Sequence, residues 1–386
     1  MPEQEKTELT AGGAAKIASA QRQAVGEFLN PEKPLANVVG VASGVKWRGG
    51  EATGEPAVLV LVSHKLGKEE LPKEDLVPVK VGEVKTDVLE IGFPIAQQVR
   101  QAPPPVRPGQ MARLGQFARP AVEGDGALMP MLEEDEYVAF AEALMLGRRA
   151  RPAEGGYSVG HYQITAGTIG TCVYDILPGG TTGSPPVHGI GSPPRCYILS
   201  NNHVLADTNA AQVGDPILQP GPYDGGTDPA DRIATLTRWV PITLEPPTPR
   251  SLHQNIVDAA IAQGQFHDLD REIYWIGNVR GWRRKTNISV GTIIQKTGRT
   301  TNYTTGRITA INATIDVGYG GGRVGRFFDQ IVTTNLSAGG DSGSLVLTLD
   351  NVAVGLLFAG SSVATIANQI ENVRSLLRVE VAQQVL

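Results

Sequence analysis

From about residue 157 almost to residue 364 the sequence is glycine-rich and strand-like, with short β-branched and apolar segments broken by turn residues. A stretch of this kind, in a chain of 386 residues with 46 glycines and 27 prolines, excludes a helical bundle or a coiled coil. The length also exceeds what one hydrophobic core usually organises, so two or three compact units are expected.

The remainder divides by period. Ile17, Val25, Phe28 and Leu29 recur at helical spacing before Pro31, which predicts an amphipathic helix. The β-branched runs V-V-G-V-A-S-G-V-K-W (38–47), A-V-L-V-L-V-S-H (57–64) and V-K-T-D-V-L-E-I-G (84–92) follow, making residues 1–94 a small α/β unit. Residues 95–156 read as a Pro-rich linker with one helix over about 132–149, and residues 157–386 as the β-rich domain. Ile370, Val373 and Leu377 share one stripe of a C-terminal helix near 368–378.

The net charge of −5 offers no overall basic field for nucleic acid. The polar, acidic first residues read as no secretory signal, and no apolar run approaches 18 residues. A cytoplasmic protein with no membrane partner is therefore expected. Cys172 and Cys196 can form one bridge at most, and free buried thiols fit the reducing setting better. The six histidines show no metal-ligand spacing with these cysteines, so neither metal nor cofactor is expected.

Three segments carry chemistry, in the order His, Asp, Ser. Y-I-L-S-N-N-H-V-L-A-D presents His203 after an apolar strand end, N-I-V-D-A-A-I-A sets Asp258 among apolar residues, and S-A-G-G-D-S-G-S-L-V presents Ser342 in a glycine-rich turn. A serine hydroxyl needs a base to become a nucleophile, and an imidazole titrating near neutrality suits the task. His203 is that base, and a carboxylate behind it, Asp258, would fix its tautomer. Glycines before the serine let the Gly340 and Ser342 amides turn toward an oxyanion. Each segment alone has a bland reading as a packing histidine, a backbone-bonded aspartate or an ordinary turn. Their coincidence in one β-rich region does not.

The three blocks make the segment from about 157 to 386 resemble the trypsin/chymotrypsin-like serine peptidases. The resemblance implies a mainly β fold of two six-stranded antiparallel barrels, at roughly 157–268 and 275–386, with the site in the cleft between them. It implies a catalytic triad of His203, Asp258 and Ser342 acting on polypeptide. The blocks G-T-I-G-T-C-V, L-S-N-N-H-V-L-A, G-D-P-I-L-Q-P-G and Q-K-T-G-R-T-T-N-Y-T-T-G, with V-V-G-V-A-S-G-V-K-W-R-G-G and K-T-D-V-L-E-I-G, are similar to the bacterial and plant narrow-leaf-type proteases. By carry-over, Leu336 lies at the floor of the substrate pocket and L-L-F-A-G (356–360), with Phe358 and Gly360, forms its wall, which implies a small or medium apolar side chain before the scissile bond.

The sequence departs from the family in two ways. Asn201 and Asn202 precede His203 where the archetype has small apolar residues, and no clean activation sequence supplies a new amino terminus for Asp341, so what holds the oxyanion loop is left open. The expected protein is a regulated intracellular serine endopeptidase, homo-oligomeric by analogy with other restrained proteases. Two rivals stand beside it: a catalytically quiet scaffold on the same fold, and a phosphate or nucleic-acid module using R-G-W-R-R-K (280–285), for which a solvated loop is the plainer reading.

Overall fold

The computed structural model describes residues 11–49, 51–96, 145–164, 166–176 and 195–381. The helix expected over 132–149 lies almost wholly outside them. Strands run antiparallel through most of the chain and close into two barrels that meet along one seam.

The first barrel orders its strands Thr171–Asp175, Cys196–Ser200, Ala260–Gly264, Arg232–Trp239, Pro216–Leu218, Ser158–His161 and Gly167–Thr168. Its two outermost members are halves of one bent segment. Ile169, in the bend, donates its N–H to the Tyr157 carbonyl at 2.9 Å, and Gly170 donates to that of Leu199 at 2.8 Å, so the sheet curls back on itself. Strand alternation fills the interior with Val159, Ile198, Ile217, Leu236 and Ala262.

The second barrel closes fully. Ile293–Gly298, Leu345–Thr348, Val352–Gly360, Ala364–Gln369, Val324–Thr334 and Asn302–Gly318 pair in that order, and the last pairs with the first. Ile370–Leu377 is the expected C-terminal helix, with Ile370, Val373 and Leu377 buried on the stripe read from the sequence.

The N-terminal unit does not stand apart from this barrel. Its helix Ala11–Phe28 covers strands Val38–Arg48 and Glu51–Val62, and the first of these hydrogen-bonds to the long strand Asn302–Gly318, with Gly40 opposite Ile315. Two apolar clusters cross the junction: Ile17, Ala24 and Phe28 join Ile294, Ile308 and Val354, while Leu59 and Leu61 join Ala310, Ile315 and Phe358. Arg326, buried and paired with Asp316, donates to the Leu29 carbonyl at 2.7 Å, just past the end of the helix, where a cation meets its negative pole.

Cys172 and Cys196 sit on adjacent strands two residues out of register, Cys172 facing Ile198, and both are free thiols. Burial raises the Cys172 pKa, which keeps it protonated and inert. The R-G-W-R-R-K run is not an open basic patch. Trp282 is fully buried, Lys285 pairs with Asp329 at 2.9 Å and Arg284 with Glu371 at 3.8 Å. Among the described residues no helix is long and apolar enough to cross a membrane.

Candidate active site

The register of one strand pair brings His203 and Asp258 together. Ser200 ends its strand opposite Ala260, which begins the neighbouring one, so the chain after Ser200 and the chain before Ala260 leave the sheet at the same edge. His203 lies on a single helical turn, Asn202–Leu205, and Asp258 in the extended segment two residues before its strand. The Asp258 Oδ2 atom is 2.6 Å from His203 Nδ1, and Oδ1 accepts the His203 main-chain N–H at 3.2 Å.

The asparagines that depart from the family pattern anchor this corner. Asn201 donates to the Asp258 carbonyl at 2.7 Å. Asn202 donates to Asn209 Oδ1 and the Val240 carbonyl, and accepts the Asn209 N–H. Asn368, reaching from the second barrel, accepts the Asp258 N–H at 3.0 Å. Each bond fixes backbone that small apolar residues could not hold.

Sequence reading missed Tyr319. Its hydroxyl donates to Asp258 Oδ2 at 2.7 Å, and its ring meets His203 edge-on with centroids 6.1 Å apart. Burial, reinforced by the Asp258 charge, raises the phenol pKa well above its ordinary value, so Tyr319 stays a neutral donor. The only signal in the sequence is a tyrosine opening the Y-G-G-G-R turn, in none of the three blocks that hold His203, Asp258 and Ser342.

Ser342 comes from the second barrel, ahead of strand Leu345–Thr348. Its carbonyl accepts the Thr168 N–H at 2.8 Å, which ties the two barrels together at Ser342. Gly343 has φ +98°, and a Cβ there would stand 2.1 Å from Ser200 Oγ, so glycine is required on both counts. His203, Asp258 and Ser342 are almost wholly buried, and His203 Nε2, the nitrogen facing away from the carboxylate, has no hydrogen-bond partner among the described residues.

The loop before the serine has its own fastening. Gly340 adopts φ +99°. Thr300 Oγ1 donates to the Gly339 carbonyl at 2.6 Å, and Ser344 donates to the Asp341 carbonyl through both its N–H and its hydroxyl. In a trans peptide the N–H points opposite to the C=O, so these bonds turn the Gly340 and Ser342 amides to the other side. Beneath them the Asp341 carboxylate, fully buried, accepts the N–H groups of Ala338, Thr300 and Thr301 and the Thr301 hydroxyl. Lys296, itself fully buried, supplies the countercharge at 3.1 Å. Among the described residues it is this lysine, and not a chain terminus, that pairs with Asp341. Burial lowers the Lys296 pKa despite the opposing pull of Asp341.

The expected pocket residues are placed differently. A cavity of about 880 Å³ beside this loop is lined by Asn335, Ser337, Ala338, Gly339, Ser361 and Ser362, among others. Leu336 points into the apolar interior with Ile294 and Ile308, and Phe358 packs on Phe327. Both side chains are claimed by the core, because along a strand-like path alternate residues turn inward. Gly360 contributes main chain only.

Two antiparallel barrels, with His203, Asp258 and Ser342 contributed at their junction, form the mainly β fold that the resemblance to the trypsin-like serine peptidases implies. Among solved structures similar to the chain are Thermobifida fusca protease A (16% identity, covering 60% of this chain and 98% of that one, TM-score 0.40), Nocardiopsis protease (17%, 59% and 97%, 0.39) and Cellulomonas bogoriensis chymotrypsin (19%, 60% and 98%, 0.38). No protein family matches the sequence, and no curated protein does.

Proposed function

We propose that the chain is a serine endopeptidase working through an acyl-enzyme. The observation that carries this reading is the buried His203–Asp258 pair at 2.6 Å, with Nε2 left for the serine. Ser342 Oγ attacks the scissile carbonyl carbon and its proton passes to His203 Nε2. Asp258 stabilises the resulting imidazolium through Nδ1–H and keeps its own charge. The Gly340 and Ser342 amides hold the oxyanion until the C–N bond breaks, when the imidazolium gives its proton to the leaving amine. Water, activated by the same imidazole, then hydrolyses the ester. No step calls for a cofactor.

Asn335, Ser337 and Ser361 in the cavity favour a short or polar side chain before the scissile bond over the apolar one inferred from Leu336 and Phe358. Cleavage profiling on a peptide library tests this. Regulated intracellular action as a homo-oligomer, and the narrower narrow-leaf-type likeness, belong to the same proposal and rest on the sequence; sedimentation of the full chain checks the assembly.

Fluorophosphonate labelling of wild type beside Ser342→Ala decides the main question. Labelling that depends on Ser342 supports the peptidase. Folded wild-type protein that takes no label supports the quiet scaffold.

A further inference from the structure

The segment that leaves the N-terminal sheet after Glu90 runs across the second barrel to Ala96 and makes four main-chain hydrogen bonds there. Ile95 exchanges two with Gly360, donating at 3.0 Å and accepting at 3.1 Å. Gly318 donates to the Pro94 carbonyl at 2.9 Å, and Ala96 donates to the Gly318 carbonyl at 2.9 Å. The chain is thus inserted as an extra strand between the ends of two barrel strands, antiparallel to Gly360 and parallel to Gly318.

Its place relative to the nucleophile follows from register. Phe358 stands two residues before Gly360, and its carbonyl is 3.5 Å from Ser342 Oγ. In an antiparallel pair a step of two forward on one strand is a step of two back on the other. The strand has a register irregularity between Leu357 and Ala359, but a peptide paired with Gly360 as Ile95 is would still run on toward Ser342. Ile95 and Ala96 also line the cavity shared with Ser337, Ala338 and Gly339, on the approach to the serine.

Side chains hold the segment at its ends. Ile91 and Ala96 are buried, as is Pro94 between them, whereas Phe93 and Ile95 are 45% and 40% exposed. At Ile95 the grip is main-chain pairing, which any extended peptide can reproduce whatever its side chains.

We propose that Pro94–Ala96 occupies the strand slot through which the protein binds the main chain of its polypeptide substrate, so that the chain competes with substrate for its own groove. The inference rests on the peptidase reading for the identity of that substrate. A substrate entering the slot exchanges one set of main-chain bonds for an equivalent set, so the groove opens only in the fraction of molecules whose segment has lifted, and apparent affinity falls by that fraction.

The test uses the full chain. Ile95→Pro removes the N–H that bonds Gly360, and Ala96→Pro the one that bonds Gly318; circular dichroism and thermal melting identify which of the two is folded. A fluorescent peptide of residues 89–98 is titrated by anisotropy into Ser342→Ala and into the same protein carrying either proline. Fluorophosphonate labelling rates are measured in parallel with Ser342 intact. At least ~10-fold tighter peptide binding and ~10-fold faster labelling in the proline variants are expected, a difference of about 1.4 kcal/mol. Equal peptide binding with and without proline overturns the inference, and Ser342-dependent labelling at an unchanged rate does so while leaving the peptidase reading intact. Peptide binding that tightens in protein that never labels retains the occupied slot and removes the peptidase.

Discussion

Two aspartates, Asp258 and Asp341, lie fully buried, and their surroundings differ in how the charge is met. Asp341 has a buried lysine, Lys296, beside it and four further donors. Asp258 is met by a neutral tyrosine, a main-chain N–H and an imidazole. A buried carboxylate without a countercharge is costly, and the cost is relieved when the neighbouring imidazole takes up a proton. Asp341 is therefore compensated at rest and serves to hold shape, whereas under the proposed mechanism Asp258 would gain its countercharge during the reaction.

Substitutions can break that contrast from either side. The largest effect is expected for Asp258→Asn, which keeps the volume but offers His203 Nδ1 the wrong partner; kcat should fall by about 10⁴-fold with little loss of stability. Steady-state kinetics beside a thermal melt would refute the contrast if the melt collapsed while turnover survived. Lys296→Met should also cost stability, about 3–5 kcal/mol, by leaving Asp341 buried and unpaired. Denaturant unfolding measures it, and adding Asp341→Asn should restore part of the stability but not the activity.

A smaller effect is expected for Tyr319→Phe. Losing one donor to a buried carboxylate costs about 1–3 kcal/mol, read as a loss in kcat with KM nearly unchanged and an altered pH–rate profile. An unchanged profile would make Tyr319 a packing residue only. The smallest effect is alkaline. Because burial lowers the Lys296 pKa, activity should decline with rising pH before an ordinary lysine titrates. In that window the folded chain binds fewer protons than the unfolded one, so linkage makes stability rise with pH. Activity should thus fall while the melting temperature does not, which separates loss of the lock from unfolding.

The proposed triad could be picked out in the sequence because His203, Asp258 and Ser342 each sit in a short block whose residues suit one chemical task. Tyr319 and Lys296 were not, for different reasons. Tyr319 reaches Asp258 only because the hairpin after Gly318 folds back over the cleft, a contact that no local pattern carries. Lys296 lies in I-I-Q-K-T-G, where a lysine reads as the solvent face of a strand, and only barrel closure buries it. Leu336 and Phe358 show the converse: family position suggested a pocket, and the barrel interior takes both side chains. The N-terminal helix and strands were read well as elements, but their pairing with Asn302–Gly318 depends on a register between residues some 270 positions apart.

That pairing bears on how the protein can be cut. Excising residues 157–386, the part the motifs single out, would bare the stretch of the Asn302–Gly318 strand now covered by Gly40–Ser43 and strip Ile294 and Ile308 of their helix. An uncovered strand edge beside exposed apolar surface is a template for self-association. The fragment that looks most like a complete peptidase is the one least suited to remain monodisperse in a test tube.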